Sequence, residues 1–240
     1  KFNPDIIYIP VEKKFVYKNI PIVNMLQNME PFVKKNKFNS LKTRLKLNLQ
    51  KFYGLRALDS SDGIICISHF VKDYLESTIS NKNDLRCKLI YHGANSLAKL
   101  KSKKPDILKN YEGKLIFSAG SIRPARGLED LIISVGILNQ QNIDILAVIA
   151  GSFDQSSNYY VKHLKGIIDR YNIKKNIMFL GQLNDQEMKW CFSNASIFVM
   201  TSFVESFGII GAQAMSNGCL IISSESKCLP ELFGESAIYY

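Results

Sequence analysis

Lys114-Leu115-Ile116-Phe117-Ser118-Ala119-Gly120-Ser121-Ile122-Arg123-Pro124-Ala125-Arg126-Gly127 is the stretch on which the fold turns. A run of apolar residues ends at a glycine. A loop with two arginines follows, and a second glycine opens a segment in which Leu128, Leu131, Ile132, Val135 and Leu138 recur at helical spacing. The pattern predicts a strand over 114–119 and a helix over 127–139.

The alternation continues downstream. The apolar run 143–150 ends at Gly151, a helix is expected over 158–171, and a strand over 176–180 stops at Gly181. A helix over 185–193, a strand over 196–200 and a buried strand over 219–222 complete the series. Continuous apolar strands alternating with amphipathic helices argue for a parallel α/β sheet covered on both faces. Ligands of such sheets bind in the crevice at the carboxyl ends of the strands.

Two loops fall at such ends. In Gly120–Gly127, the forks of Arg123 and Arg126 suit a diphosphate, and a helix N-terminus adds N–H donors. The plain alternative is a surface loop with solvated arginines. The second is Ser202-Phe203-Val204-Glu205-Ser206-Phe207-Gly208-Ile209-Ile210-Gly211-Ala212-Gln213-Ala214-Met215-Ser216-Asn217-Gly218. Here a loop carboxylate precedes a glycine-opened helix, and Gln213 comes eight residues after Glu205. At ~1.5 Å per helical residue the spacing is roughly 12 Å, the length of a nucleoside diphosphate-sugar. The segment reads as a clamp on an activated sugar; the alternative is an ordinary buried helix with a glycine stop.

The first part of the chain is less regular. Strands are expected over 5–9, 20–26, 63–67 and 88–91, and helices over 39–58 and 70–78. The stretch 93–113 is rich in Lys, Ser, Asn and Pro and reads as a linker, with a short helix near 105–111. The expected division is a first domain over 1–97, a linker over 98–113 and a second domain over 114–240.

Of 240 residues, 46% are hydrophobic and 22% charged, a globular composition. The net charge of +10 is uneven: residues 1–104 hold 20 Lys and Arg against 8 Asp and Glu, while 105–240 hold 11 against 13. Whatever the basic surface binds belongs to the first part. Five cysteines without a CxxC spacing favour reduced thiols in a cytosolic compartment. With three scattered histidines, His69, His92 and His163, they argue against a zinc site, and each histidine reads as structural.

Residues 33–51 include Lys34, Lys35, Lys37, Lys42, Arg44, Lys46 and Lys51 and no acid, with Phe38, Leu41, Leu45, Leu49 and Phe52 at helical spacing. Such a basic amphipathic helix suits an anionic membrane surface. A core-packed helix with a solvated basic face is the alternative. Nucleic acid is a poor partner, since no aromatic-rich basic stripe accompanies the charge.

The second part resembles the C-terminal domain of the retaining glycosyltransferases of family 4, which have the GT-B fold. The resemblance is carried, in family order, by Gly120, Arg126-Gly127-Leu128-Glu129-Asp130-Leu131-Ile132, Ile149-Ala150-Gly151 and Phe179-Leu180-Gly181. It continues through Glu205-Ser206-Phe207-Gly208, Gln213-Ala214-Met215, Gly218 and Leu229-Pro230-Glu231-Leu232. In the first part, residues 57–68, 88–93 and 21–32 are similar to family segments before the boundary, at the hand-over, and facing the donor.

The resemblance implies two Rossmann-like domains, both incomplete here, and a fragment that is inactive alone. It implies a hexosyltransferase of polysaccharide biosynthesis, cytoplasmic or peripheral to the inner membrane face. A sugar would pass with retention from a nucleotide-sugar to a glycan or lipid-linked acceptor, without cofactor or metal. Arg126 would neutralise the pyrophosphate and Glu205 would face sugar hydroxyls, the two catalytic positions. Gly120, Ser121, Arg123, Gly181, Phe207, Gly208, Ile209 and Gln213 would join them around the donor, and Asn28 would lie on the acceptor side.

Three positions depart from the family pattern. Gln213 stands for the ribose-binding Glu, Ser121 for a common arginine, and Asn28 for a common histidine. Gln213 and Asn28 leave open a nucleotide-sugar-binding protein without transfer activity, and an epimerase on the same two-domain fold is a second alternative.

Overall fold

A computed structural model describes residues 4–33, 37–79, 87–153 and 155–240. Lys34 and Lys35 of the basic stretch lie outside them. The chain divides into two units. The first comprises 1–35, 40–92 and 204–207; the second comprises 36–39, 93–203 and 208–240.

In the first unit, β1 (Ile7–Ile9), β2 (Ile22–Leu26), β3 (Gly63–Cys66) and β4 (Cys87–Leu89) form a parallel sheet in the order β1-β2-β3-β4. Helix α1 (Leu41–Asp59) connects β2 to β3, and α2 (His69–Thr78) follows β3. Both start at serine caps: the Ser40 hydroxyl accepts from Thr43 N–H and the Ser68 hydroxyl from Val71 N–H. Because Ser40 caps α1, Phe38 falls outside the helix. It stacks instead on His163, like Phe38 a residue of the second unit, with ring centroids 4.2 Å apart. The four remaining apolar residues of the expected stripe, Leu41, Leu45, Leu49 and Phe52, are on α1 and all exposed. The core-facing residues are Leu47, Gly54, Ala57 and Leu58. A solvated basic face over a core-packed stripe is therefore not what the helix presents; the stripe itself faces outward.

The second unit holds β5 (Leu115–Ala119), α3 (Leu128–Gln140), β6 (Leu146–Ala150), α4 (Asn158–Tyr171), β7 (Ile177–Gly181), α5 (Asp185–Asn194) and β8 (Ile197–Met200). After these come α6 (Ile209–Ser216), β9 (Ile221–Ser223), α7 (Leu229–Phe233) and β10 (Ala237–Tyr239). The sheet is parallel throughout, in the order β7-β6-β5-β8-β9-β10. Its strands run 3-2-1-4-5-6 in order of appearance, the doubly wound arrangement. Every residue of β5 and β6 is buried, which explains their unbroken apolar runs.

On one face of this sheet, Leu131, Ile132 and Val135 of α3 and Leu164 and Ile168 of α4 form the core with Ile116 and Ala147. Elsewhere in the sheet core, Phe117 of β5, Phe192 of α5 and Phe198 of β8 pack as a trio with centroids 5.3 to 5.7 Å apart. The expected linker is packed. Leu108 is buried, Lys103 N–H donates to Gln186 O, and Lys189 Nζ donates to Ala98 O and Leu100 O. The parallel α/β sheet expected from the alternation is observed in the second unit, and the two Rossmann-like units implied by the resemblance are both present, each a parallel sheet flanked by helices.

Candidate functional site

The order of the second sheet reverses at β5, which lies between β6 and β8. The loops after β5 and β8 therefore flank the switch point where such sheets bind ligands. Glycines occupy the carboxyl ends of three adjacent strands. Gly120 N–H donates to Ala150 O after β5, and Gly151 N–H donates to Gly181 O after β6. Gly120 and Gly151 have φ of 132° and 142°. A Cβ on Gly151 would lie 1.9 Å from Gly120 O, so two backbones meet where no side chain fits.

Arg126 lies against the first of these glycines. A Cβ on Gly120 would lie 2.6 Å from Cζ and Nη2 of Arg126, so the guanidinium rests over the bare glycine. Arg126 Nη1 donates to Ser202 Oγ at 3.3 Å, which reaches from the β5 loop to the β8 loop. The two loops are stitched further. Thr201 Oγ1 donates to Arg126 O at 2.7 Å and Phe203 N–H donates to Ala125 O, while Ser224 Oγ, just after β9, donates to Ser202 O at 2.6 Å and holds the β8 loop from its other side. Gly120, Arg126, Thr201 and Ser202 line a small pocket with Ser118 and Met200.

The two helix ends differ. At α3, Leu128 N–H donates to the Tyr160 hydroxyl, which itself donates to buried Glu129. Burial and the Glu129 carboxylate push the Tyr160 phenol well above its ordinary range. Glu129 and Asp130 occupy the first turn of α3, so this end already carries negative charge. The N–H donors expected from it are thus partly spent on the protein. At α6, the N-cap is Gly208, no side chain caps the end, and no acid occupies the first turn. This end matches an anion better. Leu229 and Leu232 of α7 pack at Gly208, which explains the place of Leu229-Pro230-Glu231-Leu232 behind the loop.

The other predicted residues fall as follows. Ser121 is exposed, and Arg123 is half-buried just ahead of the short 3-10 turn Pro124–Arg126. Gly181 is exposed at the end of β7. Ile209 and Gln213 stand one turn apart on α6, exposed and half-buried respectively. Glu205 and Phe207 lie in the four-residue segment that groups with the first unit, as does Asn28. That segment is anchored within the first unit by Ser206. Met29 N–H donates to Ser206 Oγ at 2.8 Å, and Ser68 Oγ donates to Ser206 O at 2.7 Å. Phe207 packs edge-on to His92 with centroids 5.6 Å apart, and burial holds the His92 imidazole below its usual value. Asn28 is half-buried; its N–H donates to Glu12 Oε1, and its side chain accepts from Glu30 N–H.

Sequence reading missed Gly151, Thr201, Ser202 and Ser206 as positioning residues. Thr201 and Ser202 carry a readable signal: two hydroxyl residues directly follow an apolar strand at its carboxyl end, and both are buried.

The sequence profile of the family Glycosyl transferases group 1 matches residues 101–237. The chain is 28% identical over 169 residues to the uncharacterized glycosyltransferase YqgM of Bacillus subtilis (strain 168), covering 70% of this chain and 44% of the relative. It is 24% identical over 177 residues to the O-antigen chain mannosyltransferase RfbU of Salmonella typhimurium, covering 73% and 46%. The chain thus spans less than half the length of these relatives. Among solved structures, Anabaena Alr3699/HepE in complex with UDP-glucose superposes with a TM-score of 0.71 at 18% identity, covering 92% of this chain and 58% of the other. Sucrose-phosphate synthase from Thermosynechococcus elongatus superposes with a TM-score of 0.70 at 20% identity, covering 92% and 55%.

Proposed function

The chain belongs to the group 1 glycosyl transferases, and from that premise we propose that the full protein is a retaining hexosyltransferase of family 4 type. It moves a sugar from a nucleotide-sugar to a glycan or lipid-linked acceptor in polysaccharide biosynthesis. The observation that carries the reading is the Arg126 guanidinium, seated over Gly120 and bonded to Ser202 at the β5/β8 switch point. A fixed, planar cation at that place suits a departing diphosphate.

In the proposed reaction the bond between the sugar and the diphosphate breaks, and the acceptor oxygen bonds to the anomeric carbon on the same face. The acceptor proton passes to the released diphosphate. Arg126 and Arg123, with the amides of Phe207, Gly208 and Ile209 at the start of α6, stabilise the leaving charge. Protein cations supply that charge in this reading, so no metal or cofactor takes part. Glu205 holds hydroxyls of the transferred sugar, and Gln213 contacts the ribose through its amide. Gly120, Ser121 and Gly181 complete the donor surroundings, and Asn28 lies on the acceptor side. The reaction is placed in the cytoplasm, on an anionic inner membrane surface met by the basic stretch 33–52.

Transfer by the full-length protein tests the reading. UDP-glucose is the first probe, because a solved neighbour is in complex with it. Glu205→Ala and Arg126→Ala should each lower turnover by tenfold or more, about the loss of one good polar contact in the transition state. The product's anomeric configuration, read by NMR, should match that of the donor. Donor binding without turnover on any acceptor would identify a binding protein instead. Release of an altered free sugar without acceptor would identify an epimerase.

A further inference from the structure

Helix α1 has two apolar faces, and the protein covers one. Leu47, Gly54, Ala57 and Leu58 pack inward. Leu41, Leu45, Leu49 and Phe52 recur every three or four residues on the opposite side, exposed by 79%, 65%, 57% and 50%. Leu45 is two residues from Leu47, a rotation of roughly 200° about the helix axis.

The charge around the row points to its occupant. α1 carries Lys42, Arg44, Lys46, Lys51 and Arg56, and no acidic residue before its last position, Asp59. Lys42 and Lys46 stand beside the row, and Arg56 lies over the Phe52 ring at 4.4 Å. A second copy of the same helix would meet it with like charges. A nucleic acid would use the cations but leave the leucines in water.

We propose that α1 lies in the plane of an anionic lipid bilayer, with Leu41, Leu45, Leu49 and Phe52 inserted at the acyl boundary and Lys42 and Lys46 among the headgroup phosphates. The inference rests on the membrane placement proposed above and names the contact that makes it. A helix of 19 residues is about 28 Å long, enough to present the whole row at once when it lies flat. No helix among the described residues is long and apolar enough to cross a membrane, so contact is made along the surface.

The test is sedimentation of the full-length protein with vesicles of phosphatidylcholine alone or mixed with phosphatidylglycerol. Binding should require phosphatidylglycerol and weaken with added salt. Lys42→Gln and Lys46→Gln should each weaken it roughly fivefold. Leu45→Ser with Leu49→Ser should weaken it about a hundredfold. These side chains are exposed, so an unchanged thermal melt verifies the fold of each variant. A Leu45→Trp variant should shift its emission to the blue on anionic vesicles and be quenched by brominated acyl chains, beyond the baseline from Trp190.

Undiminished vesicle binding by the Leu45→Ser, Leu49→Ser protein would overturn the proposal. So would Leu45→Trp emission that brominated chains leave untouched. Loss of self-association in place of vesicle binding would show that a second copy covers the row. Arg126→Ala should bind vesicles like the wild type while losing donor binding. The transferase reading and the membrane reading therefore fail separately.

Discussion

The guanidinium of Arg126 lies over Gly120, where a side chain would place its Cβ 2.6 Å from Cζ. The glycine and the arginine are six residues apart, yet the seat depends on a third residue, Ser202, from the far side of the switch point. Cation position, strand end and β8 loop form one unit, and perturbing any of them should register at the others.

Arg126→Ala should weaken binding of UDP, measured by calorimetry, by about ten- to a hundredfold, the usual worth of a hydrogen bond to a charged group. Arg126→Lys should recover only part of this. It keeps the charge but loses the planar fork that reaches Ser202. Equal affinity for the wild type and Arg126→Ala would show that the cation does not touch the diphosphate.

Gly120→Ala and Gly151→Ala should weigh differently on binding and on stability. The first is strained at φ 132° and also meets the Arg126 guanidinium, so it should lose donor affinity together with some stability. The second places Cβ 1.9 Å from the Gly120 carbonyl oxygen at φ 142°, so backbone must move. Denaturant unfolding should find Gly151→Ala less stable than wild type by about 2 kcal/mol or more, the larger loss of the two.

Tyr160→Phe should cost about 1–3 kcal/mol in urea unfolding. The hydroxyl accepts from Leu128 N–H and donates to Glu129, and both partners are buried. Removing one oxygen leaves a donor and a carboxylate without that contact. Glu129→Gln should cost less, since an amide oxygen still accepts from the phenol. Unchanged stability of Tyr160→Phe would mean that water replaces the hydroxyl.

His92 should titrate below its usual value of 6.5 in an NMR titration, because burial beside Phe207 disfavours the imidazolium. The unfolded chain then binds the proton more readily than the folded one. Stability tied to His92 is complete above 6.5 and falls as the pH drops from there toward the lower folded value. His92→Gln should remove this portion of the acid sensitivity. A midpoint at or above 6.5 would contradict the arrangement.

Much of the second unit was legible because its signals are local. The 3.6 spacing of Leu128, Leu131, Ile132 and Val135 and the unbroken apolar runs of β5 and β6 locate the elements without any partner. The last pieces were not legible. Helix α7 has five residues and β10 three, too few for a period to declare itself. Residues 98–113 read as linker by composition, yet Leu108 and the bonds from Lys189 fix them to the second unit. Composition reports solubility, and packing depends on what lies opposite.

The sequence by itself determined the alternation of strands and helices, the glycine-bounded arginine loop and the place of Glu205 ahead of a glycine-opened helix. All of these are written in nearest-neighbour pattern and backbone preference. Tertiary structure alone decided that Thr201 and Ser202 meet Arg126, and that Ser206 ties Glu205's segment to Met29 and Ser68. It also decided that Leu41, Leu45, Leu49 and Phe52 face outward. Helical periodicity fixes which residues share a face, but which face is covered depends on contacts between residues far apart in the chain.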